Sequence, residues 1–168
     1  DSDEKLVERV SFIHKRIKTD GIAERFVPGR ELYVSILGNR RLNVLPVWEL
    51  VFKKKPEEML LIATEKAKWD AAYQKKWGVK IQKAEGVPEA VQAKIGKLSK
   101  RIYRALGLSG YGRLDYRLSE EGELYFLEAN PNPDIAMEEE FASSAEASGL
   151  SYQDLIQKIL SLGLRKSN

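Results

Sequence analysis

The sequence contains no cysteine and a single histidine, His14. Disulfides, a thiolate nucleophile and Cys-based zinc sites are thereby excluded. One histidine also leaves little material for a His-rich metal centre or a serine–histidine triad, and His14 sits among Lys15 and Arg16 as an ordinary surface helix residue. No apolar run is long enough to span a bilayer, and Asp1 opens no secretory signal. Charge of one sign is also scarce, with a net +3 over 168 residues. Such a balance admits anionic ligands but lacks the basic stripe of a nucleic-acid binder. What is present, 43% hydrophobic and 32% charged residues, describes a globular chain with a real core. The reading is a cytoplasmic protein. The chain begins without methionine inside a helical pattern, which suggests a portion of something longer.

Leu6, Val10, Ile13 and Ile17 fall at the spacing of one helix face, which "TDG" at 19–21 should end. "AERFV" reads as a short strand before a turn at Pro28-Gly29. Two further strands follow, joined through "GNRR" as a hairpin. "FKKKPEEM" is a charged loop, "LLIA" at 60–63 a short strand, and "KAKWDAAYQKKWG" a loop with a short helix. Pro88 opens a long helix that Gly107 stops. A second hairpin, "GYGRLDYRL"–"SEEG"–"ELYFLEA", precedes the helical "MEEEFASSAEASG" and a last helix with Ser151 and Asp154 in capping-box spacing. The expected class is α+β, a single domain of antiparallel sheet with helices packed on one side.

The second hairpin carries the chemistry. Its returning apolar strand ends in "EANPNPD", although a carboxylate is rarely placed beside a core without a partner. Side chains alternate along a strand, so Arg113 shares a face with Asp115, and Glu128 with Asn130. A turn with an even number of residues, as "SEEG" suggests, brings all four to one face; a three-residue loop separates the carboxylates. Two neighbouring carboxylates repel unless a cation or proton lies between them. Hard divalent ions such as Mg²⁺ take oxygen ligands of this kind, and an arginine alongside supplies a fork for phosphoryl oxygen. The same residues also suit a cross-strand salt bridge of Arg113 with Glu128, leaving Asp115 solvated. The pattern alone leaves both readings open.

"GYGRLDYRLSEEGELYFLEANPNPD" resembles the second metal-binding hairpin of the ATP-grasp superfamily, in particular the D-alanine–D-alanine ligase family. "AERFVPGRELYVSILG" resembles that group's hinge and following strand, and "SAEASGLSYQDLIQKIL" its last two helices. The resemblance implies that Asp115, Glu128 and Asn130 hold two Mg²⁺ (or Mn²⁺) ions on the phosphates of ATP, with Arg113 over the transferred phosphate. It implies Glu24 as the hinge acid near the adenine amino group, with backbone contacts from Arg25 and Val27. Glu31 would bind the ribose hydroxyls, and Lys68 would reach the phosphates. Read without the family, Glu31 is a strand-edge charge and Lys68 a surface lysine. The implied activity is ligation of a carboxylate to an amine, an amino acid or peptide, through an acyl phosphate; a homodimer is a further expectation.

Two departures from the family pattern stand out. The family's N-terminal domain and its glycine-rich phosphate-loop subdomain would precede the hinge, and residues 1–20 supply neither. The chain is therefore expected to be the C-terminal portion of an ATP-grasp domain, inactive alone. After Asn130, where the dipeptide ligases carry a Pro-Gly-Met and serine-bearing loop, this chain has the acids Asp134 and Glu138, Glu139 and Glu140. A cationic or amine-bearing substrate is one account of these acids, and favourable charge at a helix N-terminus is the other. Two other functional classes compete: a regulatory nucleotide-binding module without turnover, and a nucleic-acid domain using Arg101, Arg104, Lys53–Lys55 and the tryptophans. No membrane association is expected.

Overall fold

The computed structural model describes residues 2–54 and 62–165. Helix α1 (Asp3–Phe12) starts at Ser2, whose side chain accepts from the Lys5 N–H, and widens into a π-helical turn over Ile13–Ile17. It ends at Lys18, in the left-handed conformation (φ 60°), one residue before the expected stop. His14 lies exposed in that turn. The strand expected at 23–27 is absent: the segment has no regular structure and runs largely exposed to the Pro28-Gly29 turn. Gly29 has φ 132°, and a Cβ there would lie 2.1 Å from the Leu118 carbonyl oxygen, so only glycine brings the chain this close.

Strand β1 (Arg30–Leu37) is the spine of the sheet. It turns through Gly38–Leu42 into β2 (Asn43–Val44), the hairpin that "GNRR" predicts. Pro46 lies just beyond, where a missing N–H stops a ladder, and the chain rejoins β1 farther along as β3 (Trp48–Phe52). The expected strand at 60–63 lies partly outside the described residues, and Ile62 and Ala63 are not in a strand. Helices α2 (Glu65–Trp69) and α3 (Ala71–Trp77) follow, capped by Thr64 and Asp70. Then comes a strand that the sequence reading did not anticipate, β4 (Val79–Lys83). Helix α4 (Glu89–Ala105) leads to β5 (Tyr111–Leu118), β6 (Leu124–Asn130), α5 (Glu140–Ala147) and α6 (Tyr152–Leu164). The six-stranded sheet has the order β4-β3-β1-β5-β6, with β2 against β1 and every pairing antiparallel.

The helices occupy both faces, not one. Leu32, Val34 and Ile36 of β1 pack with Leu114, Tyr116 and Leu118 of β5 under Ile95 and Tyr103 of α4. The Ser99 hydroxyl satisfies the buried Tyr116 hydroxyl at 2.8 Å. On the opposite face Tyr33, Leu50 and Phe52 meet Ala67 of α2, and Leu37 meets Phe141, Ala142 and Ala145 of α5 and Leu155 of α6. Between these helices the second face carries charged side chains, Glu31, Asp115 and Arg117, that are themselves buried. Among the described residues no helix is long and apolar enough to cross a membrane.

Candidate functional site

Antiparallel register sets the site. Directly opposed residues share a face, so Trp48, Tyr33, Asp115 and Glu128 form one row across four strands. The neighbouring rows are Ser35, Arg113 and Asn130 on one side, and Leu50, Glu31, Arg117 and Tyr125 on the other. Arg113, Asp115, Glu128 and Asn130 therefore do share a face, although not through an even turn. Leu118 pairs with Leu124, leaving residues 119–123, five in all, in the turn. An odd turn alone would set Asp115 opposite Leu127. The ladder instead steps from Tyr116↔Phe126 to Asp115↔Glu128, and the extra residue, Leu127, is a bulge that restores the carboxylate pair.

Arg113 grips Asp115 with a two-pronged fork, Nε to Oδ1 at 2.7 Å and Nη2 to Oδ2 at 2.9 Å. Its Nη1 donates to Glu140 of α5, and its guanidinium lies 4.8 Å from the centroid of the Tyr33 ring. Of the two readings that the pattern left open, the Arg113–Glu128 salt bridge does not form: Arg113 pairs with Asp115 and Glu140, and Asp115 is buried. Glu140 is buried and its charge is neutralised by Arg113. Burial raises the Asp115 carboxyl above its ordinary 3.8; Arg113 opposes the rise, the Glu128 charge adds to it, and Lys68 lowers it. Burial would lower the Arg113 guanidinium, but its bonds and charge interactions with Asp115 and Glu140 hold it up. Glu139 is also raised, first by desolvation and then by Glu140 and Asp134.

A second buried cluster adjoins the first. Glu31 Oε1 accepts from the Tyr33 hydroxyl at 3.0 Å, and Oε2 accepts from the Ala63 N–H and from Arg117 Nη1, both at 3.3 Å. Arg117 Nε donates to the Val27 carbonyl at 3.0 Å, and its guanidinium lies 5.0 Å from the Phe26 ring centroid. Tyr33 touches both clusters, bonded to Glu31 and stacked on Arg113. Its hydroxyl is pushed well above the tyrosine range by burial and by the Glu31 charge, so it stays a donor.

The site residues expected from sequence are thus placed unequally. Arg113, Asp115, Glu128 and Asn130 come together by register, and Lys68 in α2 is near enough for its charge to act on Asp115. Glu31 is buried in the adjoining row and Val27 reaches it through Arg117. Glu24 and Arg25 are exposed on the entry segment, away from any described bond to these groups. Tyr33 and Arg117 are additions to the residues expected from sequence, and Glu140, expected as a helix-terminal acid or a contact for a cationic substrate, is a partner of Arg113. The two additions were legible in principle: Tyr33 is two residues from Glu31 and Arg117 two from Asp115, so strand alternation alone puts each on its neighbour's face.

As a cation site the donors are two carboxylates and an amide oxygen, a set suited to a hard divalent ion. Asn130 Oδ1 accepts from the Asn132 N–H at 2.9 Å and keeps a second lone pair. Among the described residues no group of three or more His, Cys, Asp or Glu side chains could hold an ion by itself. The set fits an ion that completes its shell with phosphate oxygens and water.

The D-alanine–D-alanine ligase of Carboxydothermus hydrogenoformans is 32% identical over 161 residues, 95% of this chain and 47% of the relative. The crystal structure of D-alanine–D-alanine ligase from Bacillus anthracis complexed with ATP superposes with a TM-score of 0.74 at 21% identity, covering 98% of this chain and 47% of that one. The VanG D-Ala:D-Ser ligase from Enterococcus faecalis gives a TM-score of 0.74 at 22% identity over 96% and 43% of the respective chains. The chain spans about half the length of the curated relatives it matches. Its fold is that of the C-terminal region of these ATP-grasp ligases. The family model described as D-ala D-ala ligase C-terminus matches residues 2–161, nearly the whole chain, and the chain belongs to that family.

Proposed function

We propose that the protein is an ATP- and Mg²⁺-dependent carboxylate–amine ligase in which this chain supplies the metal- and ribose-binding wall of the nucleotide cleft. The observation that carries the reading is the opposition of Asp115 and Glu128 across β5 and β6, with Arg113 held beside them. The family's named ligases support it.

In this reading Asp115, Glu128 and Asn130 hold the cation, Mg²⁺ or Mn²⁺, through oxygen. The bound ion neutralises charge on the phosphates. Arg113 stands where the transferred phosphoryl group gathers negative charge, and Asp115 and Glu140 fix its guanidinium so that little reorganisation accompanies transfer. Glu31 accepts from the ribose, and Lys68 reaches toward phosphate. Glu24, Arg25 and Val27 line the adenine end. A substrate carboxylate oxygen attacks the terminal phosphorus of ATP and ADP leaves, giving an acyl phosphate. The neutral amine then attacks the acyl carbon, phosphate leaves with the bonding electrons, and the nitrogen loses a proton. No side chain need act as nucleophile, in keeping with a chain that has no cysteine.

The test is phosphate release by the intact protein with Mg·ATP and paired amino acids or short peptides, with the product identified by mass spectrometry. The expected result is phosphate and amide in equal amounts, each requiring both substrates. Nucleotide binding with no release in any pairing would instead make the protein a nucleotide-binding module. Release that ignores the amine would contradict ligation.

A further inference from the structure

An open cavity of about 830 Å³ lies at the end of the sheet where the entry segment meets β1, and Phe26, Glu31, Leu50 and Arg117 are among its walls. Arg117 is the organiser of this end. It is a direct register partner of Glu31, it is 3% exposed, and its contacts reach several parts of the wall. Nη1 donates to Glu31, Nε donates to the Val27 carbonyl, and the guanidinium faces the Phe26 ring. Val27 and Glu31 flank the Pro28-Gly29 turn, so one side chain clamps both ends of the turn that brings the entry segment to the sheet.

The consequence for Glu31 is geometric. A carboxylate offers about four lone-pair directions. The Tyr33 hydroxyl uses one, and the Ala63 N–H and Arg117 use two more. What remains is about one acceptor direction, on a carboxylate whose charge is compensated and whose rotation is blocked. Such a group accepts from one well-placed hydroxyl and rejects a ligand that lacks it, because the acceptor would then be left buried without a donor.

We propose that Arg117 is a nucleotide-positioning residue: by holding Glu31 in a single orientation and fastening Val27 to the wall, it makes the cavity select a ribonucleotide over its 2′-deoxy form. The inference rests on the nucleotide reading above and adds to it a residue and a selectivity. A purely structural Arg117 would stabilise the fold and affect both sugars equally; a positioning Arg117 acts on their ratio.

The test is calorimetric affinity of the intact protein for Mg·ATP and Mg·2′-deoxy-ATP, in the wild type and in Arg117→Met, Arg117→Lys, Glu31→Gln and the double variant Glu31→Gln/Arg117→Met. The wild type should prefer ATP by about tenfold or more, as expected of one hydrogen bond to a charged group. Arg117→Met should bring the ratio close to one, Arg117→Lys should recover part of it, and the double variant should match Glu31→Gln, because Arg117 acts through Glu31. If Arg117→Met does not fold, Arg117→Lys, which keeps the charge but not the guanidinium fork, is read in its place: a ratio below that of the wild type supports the inference and an unchanged ratio overturns it. A wild-type preference that survives Arg117→Met, or a double variant whose ratio departs from that of Glu31→Gln, overturns it while leaving the nucleotide reading intact. Absence of Mg·ATP binding by the wild type overturns both.

Discussion

Asp115 and Glu128 face each other across β5 and β6 because Leu127 stands outside the ladder between them. The five-residue turn alone would set Asp115 opposite Leu127, and the bulge takes Leu127 out of the ladder, so the carboxylate pair requires only that this residue stay unpaired. Bulges tend to appear where a side chain must be re-aimed.

Deleting Leu127 removes the bulge and still leaves Glu128 opposite Asp115, so Mg²⁺-dependent nucleotide affinity should stay within about threefold, under half of a tenfold step in free energy. Inserting one alanine after Leu127 turns Glu128 to the α4 face, and the Mg²⁺ dependence should vanish while the helical circular dichroism persists. Equal binding by the two variants would show that the register does not matter.

Glu140→Gln removes one of the two buried carboxylates that neutralise the largely buried Arg113 guanidinium, 12% exposed. Taking one partner from a buried pair costs about 3 kcal/mol, and urea unfolding should show a loss of this order. Phosphate release should fall more steeply than nucleotide affinity, since Arg113 keeps Asp115 but loses its fixed aim. An unchanged midpoint would mean that the pair is solvated in solution.

Stability and metal affinity should respond to pH in opposite senses. Asp115 is raised above 3.8 by burial, with Glu128 adding to the effect. The native state thus keeps this proton to higher pH than the unfolded chain. Its contribution to stability is complete below 3.8 and is lost as pH rises through the native value. A bound cation needs the ionised form, so Mg²⁺ affinity should climb over that same window with release of a proton. Glu128→Gln removes a raising charge and should move the stability loss to lower pH. Thermal melts across the acid range, with and without Mg²⁺, check both signs.

Gly29→Ala should destabilise by about 1–3 kcal/mol, the usual cost of forcing a side chain into a strained backbone region. The added Cβ would meet the Leu118 carbonyl, so the entry segment must also shift. Weaker nucleotide binding at temperatures where the variant remains folded would tie this turn to the cavity. Full affinity would separate them.

Much of this arrangement could be read along the chain. The α4 boundaries, the second hairpin and the Ser151 cap follow from local rules, and the structure has all three. The features missed depend on partners far away in sequence. "AERFV" has strand-like composition but pairs with no strand among the described residues, whereas Val79–Lys83, short and lysine-rich, becomes β4 because β3 offers an edge. Leu6 and Ile17, at the spacing of a packed helix face, remain about half exposed at 50% and 56%. The turn is one residue longer than expected because Glu123, strand-like in sequence, closes it, its carbonyl accepting from the Ser119 N–H at 2.9 Å. Glu31 and Arg117 lie 86 residues apart, and only the pairing of β1 with β5 brings them together. Glu140 was weighed as a helix-terminal acid or a ligand for a cationic substrate; it does open α5, and its charge goes to Arg113.

The most direct measurement is calorimetric titration of the intact protein with a non-hydrolysable ATP analogue, with and without Mg²⁺, beside Glu128→Gln. Binding should require Mg²⁺ in the wild type and weaken by at least about tenfold in the variant, as for loss of a charged ligand. Binding that is indifferent to Mg²⁺, or equal in the two proteins, would contradict a metal–nucleotide site at Asp115 and Glu128.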